Sequence, residues 1–360
     1  MSINRICICG GGNLAHVVGG YLASRHDCEV RLLTRHPDRW QSDGSIELTD
    51  INGKTIHSCF SLITSDASVA LAQTDIVLLC LPGFAIAQVL ESLSEHITPQ
   101  TLVGSVVSST GFFLIANKLL PKGTKLFGFQ RVPFIARTTE YGKSAKLLGY
   151  KPSLAFATEN IPDPDNLSKR LSLLFDIPAI WLDNYLKVTF TNSNPLLHPS
   201  RLYGMFHSMK TEYDHRILFY EEWDDLSSKT LIDCDREFGL LMKKLGIDGD
   251  IPSILEYYES QDAQSLTAKL RSIKAFKGIY APMTKTTDGK YKPDYQNRYF
   301  TEDIPYGLLL IKVFAQKNDV LTPTIDKVLE WAQTVMGKKY LINGMLTGED
   351  LKNSIAWYIK

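Results

Sequence analysis

The sequence predicts an α/β half built on a parallel, doubly wound sheet, followed by an all-α half. Three observations carry this reading. Four apolar residues, Ile6, Cys7, Ile8 and Cys9, run straight into Gly10, Gly11 and Gly12. Short apolar runs then alternate with helical patterns as far as about residue 182. From about Asp183 onward the apolar spacing is helical.

The first run suits a strand buried on both faces of a sheet. Gly10, Gly12 and Ala15 fit the pattern G-x-G-x-x-G/A. In it, the first position permits a tight turn, the second lets the backbone approach a pyrophosphate, and the third lets a helix pack close. A helix over 13–25 then aims its free N–H groups, those of Asn13 and Leu14 among them, and its positive dipole end at the phosphates. A second strand at 29–33 completes the unit, which reads as a Rossmann dinucleotide-binding domain, against a plain glycine-rich turn. Thr34 and Arg35 end that strand where a carboxylate usually accepts from the ribose 2′-hydroxyl, and the nearest acid is Asp38. Arg35 either pairs with a 2′-phosphate, which favours NADPH over NADH, or is a solvated surface arginine.

Residues 45–60 alternate around Asn52-Gly53, a hairpin signal, and read as an insertion at the sheet edge. A helix at 66–73, a strand at 75–81, a helix at 85–95 and a strand at 102–107 continue the alternation. Strand ends line the ligand crevice of such sheets, which puts Leu81 and Pro82, and the turn at 108–111, beside the nicotinamide. Ordinary turn chemistry is the competing reading. A strand at 125–129 leads into Gln130-Arg131-Val132-Pro133, short strands follow at 145–148 and 153–157, and a helix spans 165–175. The helical half has segments at 185–192, 226–245, 251–258, 265–275, 306–316 and 324–336. The last is punctuated by Thr322 as cap, Pro323 in the first turn and Gly337 past the end. The expected domains are 1–185 and 186–360, each large enough for its own core.

Lys plus Arg equals Asp plus Glu at 39 each, so no global field recruits nucleic acid or an anionic membrane. The longest apolar stretches, 76–81 and 307–315, are too short to span a bilayer. The N-terminus lacks the layout of a signal peptide. Six cysteines show neither disulfide nor metal-ligand spacing. The expectation is a cytoplasmic protein, monomer or homodimer, that binds small molecules and no metal.

Two polar islands interrupt the helical half. In 192–200, His198 lies between Leu197 and Pro199, with Pro195 upstream, and a stiff backbone suits an oriented imidazole. A satisfied structural histidine is the other reading. In 297–305, Arg298 and two carboxylates precede an apolar helix. Thr301, Glu302 or Asp303 would serve a simple capping cluster, which has no use for Arg298 or Asn297. Together the islands offer an acid/base, a carboxylate to orient it and an arginine for an anion.

The chain resembles the opine dehydrogenase family, and octopine dehydrogenases in particular. The resemblance rests on Gly-Gly-Gly-Asn-Leu-Ala-His (10–16), Glu-Val-Arg-Leu-Leu-Thr (29–34), Asn-Pro-Leu-Leu-His-Pro (194–199), the block at 293–307 and the block at 337–350. It implies a Rossmann domain followed by an all-helical opine-dehydrogenase-type domain, with the active site in the cleft between them. It also implies reductive condensation of an amino acid with an α-keto acid such as pyruvate, using NADH or NADPH. On this resemblance His198 is the catalytic histidine, Asp303 the carboxylate paired with it, and Arg298 the cleft arginine that holds a substrate carboxylate or senses the cofactor phosphates. A carboxylate beside an imidazole favours its charged form and fixes its tautomer. Arginine-using octopine dehydrogenases carry a carboxylate in the Phe-x-x-x-Pro segment, where this chain has Gln130 followed by Arg131. The amine substrate is therefore expected to be neutral or acidic, not arginine, with Gln130, Arg131 and Asn194 as substrate-binding residues.

Two other functions compete. A ketopantoate-reductase-like enzyme would share the architecture, and Lys187, Asn194 and Pro195 faintly match its pattern, but the Arg298–Asp303 block would be unexplained. A non-catalytic NADPH-binding sensor would need the glycine loop and have no use for His198, Arg298 and Asp303 together.

Overall fold

The computed structural model describes residues 4–359. They form two compact units, one ending at Thr191 and one starting at Asn192. The elements of the first are β1 (Asn4–Cys9), α1 (Asn13–Ala23), β2 (Cys28–Leu33), β3 (Ser45–Thr49), β4 (Thr55–Cys59) and β5 (Leu62–Thr64). Then come α2 (Ala67–Leu71), β6 (Ile76–Leu79), α3 (Gly83–Leu93), β7 (Leu102–Ser105), α4 (Phe112–Leu119) and β8 (Lys125–Phe129). β9 (Phe134–Glu140), β10 (Ser144–Tyr150), β11 (Leu154–Glu159), α5 (Pro164–Phe175), β12 (Ala179–Leu182) and α6 (Tyr185–Phe190) complete it.

The main sheet has eight strands in the order β12-β11-β8-β7-β6-β1-β2-β5. All neighbours are parallel except β8 and β11. β1 lies inside the sheet between β2 and β6, and residues Ile6, Cys7, Ile8 and Cys9 are at most 1% exposed. That position explains why the strand is continuously apolar. From β1 the chain first builds outward through β2 and then crosses back to β6 on the other side. This reversal opens a crevice beyond the carboxyl ends of β1 and β6, the place where such sheets bind ligands.

The hairpin at 45–60 is not at the edge of the main sheet, as its sequence suggests; β5 holds that edge. β3 and β4 join β10 and β9 in a separate four-stranded sheet, ordered β4-β3-β10-β9. Ile46 and Leu48 of β3 need an apolar partner, and α1 supplies one through two glycines. A Cβ on Gly19 would lie 2.7 Å from Phe60, and one on Gly20 would lie 3.1 Å from Leu48. The small face of α1 thus lets the second sheet close on it. β9 and β12 have no counterpart in the sequence reading.

The second unit contains α7 (Asn194–Phe206), α8 (Asp225–Leu245), α9 (Ile254–Tyr257) and α10 (Ala263–Ser272). After a two-stranded ribbon, β13 (Met283–Lys285) with β14 (Tyr291–Pro293), come α11 (Arg298–Thr301), a π-helical turn (Ile304–Leu308), α12 (Leu309–Lys317) and α13 (Pro323–Met336). α8 is the long central helix, opened by Asp224, whose carboxylate accepts from Ser227 N, and closed by Gly246 at φ 69°. Thr322 and Gly337 flank α13 as its sequence suggests, but the Thr322 hydroxyl donates to Asp326 and does not cap. The free N–H groups of Thr324 and Ile325 go instead to the carboxylate of Glu237 on α8, at 2.6 and 2.9 Å. A buried carboxylate at a helix N-terminus both satisfies donors and meets the positive dipole end. Among the described residues, no helix is long and apolar enough to cross a membrane. All six cysteines are free.

Candidate active site

In the first unit the crevice is a cleft of about 700 Å³ lined by Gly10, Gly12, Thr34, Arg35, Leu81 and Pro82, among others. Gly10 has φ 140°, and a Cβ there would lie 2.6 Å from the Cys80 carbonyl oxygen of the adjoining strand end. Only glycine serves that turn. At Gly12 a Cβ would meet nothing within 4 Å. Gly12 is also the N-cap of α1, and it offers no side-chain cap to the first-turn N–H groups. An uncapped helix N-terminus facing an open cleft fits the pyrophosphate of a dinucleotide.

Ala15 is fully buried and seats α1 on the sheet. Leu14 packs on the core, and the Asn13 side chain accepts from Thr138 N of β9 at 2.9 Å. None of these three side chains lines the cleft. His16, one turn in, holds the loop from behind. Its Nε2 accepts from Gly142 N at 2.8 Å, so Nδ1 carries the proton and donates to the Gly12 carbonyl at 2.9 Å. The ring stacks on Trp40 with centroids 4.2 Å apart. Burial pushes its pKa down, which keeps this neutral tautomer in place.

The second unit carries the other cleft, about 450 Å³, lined by His198, Arg298, Tyr299, Arg216 and Tyr280 among others. Its geometry follows from one close approach. Pro195 lies in the first turn of α7, where a proline costs no hydrogen bond, and His198 lies three residues on, on the same face. Gly307 of the π-turn meets Pro195, where a Cβ would be only 3.0 Å away. Asp303 stands four residues before Gly307. Contact at Pro195 and Gly307 therefore brings His198 to Asp303, across 105 residues of chain. Nδ1 of His198 and Oδ2 of Asp303 are 2.8 Å apart.

The island at 192–200 is thus the start of a helix. Pro199 within α7 forfeits only the bond to the Pro195 carbonyl. In the second island the cap is Asn297, whose Oδ1 accepts from Tyr299 N at 3.2 Å. Neither Thr301 nor Glu302 nor Asp303 fills that role, and Asp303 is left to the imidazole.

Three residues that the sequence does not single out complete the surroundings of His198. Tyr220 places its hydroxyl 3.2 Å from Nε2. Burial raises the phenol pKa, so the hydroxyl stays protonated and pairs with Nε2, while Nδ1–H donates to Asp303. Tyr299 lies against the ring, centroids 4.5 Å apart. Arg201, only 1% exposed, braces the segment that carries Tyr220, donating to the carbonyls of Phe219 at 2.8 Å and Glu222 at 2.7 Å. The connection 207–224 has no periodicity or motif that would have marked Tyr220 or Arg216.

Of the substrate residues expected from the sequence, Asn194 is the first residue of α7, one turn before His198. Gln130 and Arg131 follow β8 in the first unit, and Arg131 Nη2 donates to the Thr191 carbonyl at 3.4 Å. None of the three lines either cleft.

Residues 181–336 match the family described as NAD/NADP octopine/nopaline dehydrogenase, alpha-helical domain. Residues 6–129 match ketopantoate reductase PanE/ApbA. Tauropine dehydrogenase of Arabella iricolor is 32% identical, over 98% of this chain and 96% of its own length. Octopine dehydrogenase of Mizuhopecten yessoensis is 33% identical, over 96% of this chain and 94% of its own. A solved octopine dehydrogenase structure with NADH and L-arginine superposes with TM-score 0.88 at 28% identity, covering 98% of this chain and 94% of that one. With this identity sustained over almost the whole length of both units, the chain belongs to the opine dehydrogenase family of NAD(P)-dependent oxidoreductases.

Proposed function

We propose that this chain condenses a neutral or acidic amino acid with an α-keto acid such as pyruvate, using NADPH, with His198 as the acid/base. The reaction is the reductive condensation of the opine dehydrogenases: the amine adds to the keto carbon, water leaves, and the imine is reduced to a secondary amine. The observation that carries the assignment is the His198–Asp303 pair in a cleft rimmed by Arg298. With Asp303 fixing Nδ1–H, Nε2 is the nitrogen that exchanges protons. It takes a proton from the substrate's ammonium group, which frees the amine lone pair to attack the keto carbon. A second proton passes from that nitrogen to the former keto oxygen. Nε2 then returns its proton to the resulting hydroxyl, which departs as water and leaves the protonated imine. The Tyr220 hydroxyl pairs with Nε2, donating while it is unprotonated and accepting once it carries the proton, and so holds the ring in register through both transfers. Arg298, exposed on the rim, pairs with the keto acid's carboxylate.

The glycine loop, the uncapped start of α1 and the strand-end residues Leu81 and Pro82 would hold the dinucleotide, which supplies hydride from its nicotinamide when bound. At the ribose end the cleft is lined by Arg35, His36 and Arg39, with Arg39 4.3 Å over the Tyr141 ring. No carboxylate lines it among the described residues. Basic groups without an acid suit a 2′-phosphate, hence NADPH. No Asp or Glu lines the cleft that holds His198 among the described residues, so a cationic side chain finds no counter-charge there, which disfavours arginine as the amine.

One absorbance assay tests the reading: reduced cofactor with pyruvate alone, with ketopantoate alone, and with pyruvate plus alanine, glutamate, methionine, taurine or arginine. Oxidation only when amine and keto acid are both present is the expected result. Oxidation with ketopantoate alone would replace it with a keto-acid reductase, and strong preference for arginine would reverse the amine class. In the same assay Arg35→Ala should raise KM for NADPH by about 10-fold or more, the effect of losing a charge-assisted contact. Equal effects on NADPH and NADH would return Arg35 to the solvated surface.

A further inference from the structure

The connection between α7 and α8 carries Arg216 into the cleft that holds His198 and Arg298. This stretch is irregular but not loose. Ala281 N donates to the Ile217 carbonyl at 2.8 Å, and Phe219 N donates to the Ile279 carbonyl at 2.7 Å. Arg201 holds the Phe219 and Glu222 carbonyls from the buried side. Arg216 sits next to this ladder, and its guanidinium lies over the ring of Tyr280, 4.8 Å from the centroid. The stacking fixes the planar group at the rim while leaving its N–H edge for a ligand.

Arg216 has no acidic partner among the described residues, and no Asp or Glu lines the cleft. The acid in reach of the imidazole, Asp303, is engaged by His198. Two guanidinium groups therefore share one cleft without a counter-charge, an arrangement that an anionic ligand stabilises. A condensation product carries two acid groups on either side of its secondary amine. One guanidinium for each acid group matches that pattern.

We infer that Arg216 holds the acid group of the amine substrate, while Arg298 holds that of the keto acid. This rests on the condensation reading above, and it makes a free acid group, carboxylate or sulfonate, obligatory in the amine substrate. A plain amine such as ethylamine has nothing to offer Arg216.

Two measurements test it. In calorimetric titration with NADPH present, iminodiacetate, a secondary amine with two carboxylates, binds the wild-type protein. Arg216→Gln weakens that binding roughly 10–100-fold, and Arg216→Lys falls between, as expected for loss of a charge-assisted pair. In steady state, Arg216→Gln raises KM for alanine or glutamate, and for taurine if the acid is a sulfonate, and leaves KM for pyruvate within about twofold. Unchanged iminodiacetate affinity in Arg216→Gln, no binding to the wild type, an equal rise in KM for pyruvate, or good turnover of ethylamine would each overturn the assignment. If the wild type oxidises cofactor with no pair of substrates, the condensation reading fails, and the iminodiacetate comparison still decides whether Arg216 binds the acid group.

Discussion

Replacing His198 with alanine is expected to lower kcat by about 10²–10⁴-fold, the range for losing a general acid/base. The imidazole is held by Asp303 at 2.8 Å and Tyr220 at 3.2 Å, so its removal deletes the group that exchanges protons with the reacting nitrogen and oxygen. Arg298 and the dinucleotide cleft are built from other elements and stay in place. Titration of NADPH by fluorescence should therefore give a Kd close to wild type. The loss should appear in kcat more than in KM for either substrate, because the histidine acts on species that form after binding. Turnover within threefold of wild type would remove His198 from the mechanism. A loss of NADPH affinity that accounts for the whole defect would do the same.

What the sequence revealed follows the range of the interactions involved. The β1–glycine–α1 unit is local: an apolar run, a turn and a helix start lie within 20 residues, and each can be read from its neighbours. The second sheet is not local. β3 pairs with β10, and both depend on the glycine face of α1, so the hairpin at 45–60 looks like an edge insertion until its distant partner is known. His198 and Asp303 were recognisable as residue types and through a family resemblance. Their contact depends on Pro195 meeting Gly307, which no pattern in either segment declares. The prolines around His198 suggested an irregular island, yet a proline in the first turn is compatible with a helix, and one bond is all that Pro199 loses. Tyr220 and Arg216 were invisible because an irregular connection has no period to betray which side chains point inward.

The helical unit should be destabilised strongly by loss of Arg201, which lies behind that connection. Its side chain is almost wholly buried. Nε donates to Phe219 O at 2.8 Å, Nη1 to Asp224 at 2.6 Å and to Ser227 at 3.2 Å, and Nη2 to Glu222 O at 2.7 Å. The guanidinium also lies over Trp223, 5.4 Å from the ring centroid. Arg201→Met keeps the apolar stem and strands two carbonyls, each typically costing about 1–3 kcal/mol when left unpaired. The Asp224 carboxylate, 41% exposed, turns to water. Asp224 also caps α8 through Ser227 N, so the damage reaches the longest helix of the unit. Arg201→Lys should recover little, because one ammonium cannot serve acceptors spread around a planar fork. Urea unfolding of the helical unit, followed by tryptophan fluorescence, should show the lower midpoint for both variants. Activity should fall with it even well below that midpoint, since the segment Arg201 braces positions Tyr220 and Arg216. A midpoint shift worth less than about 1 kcal/mol would mean that water replaces the guanidinium at these carbonyls and that the connection holds its shape without it.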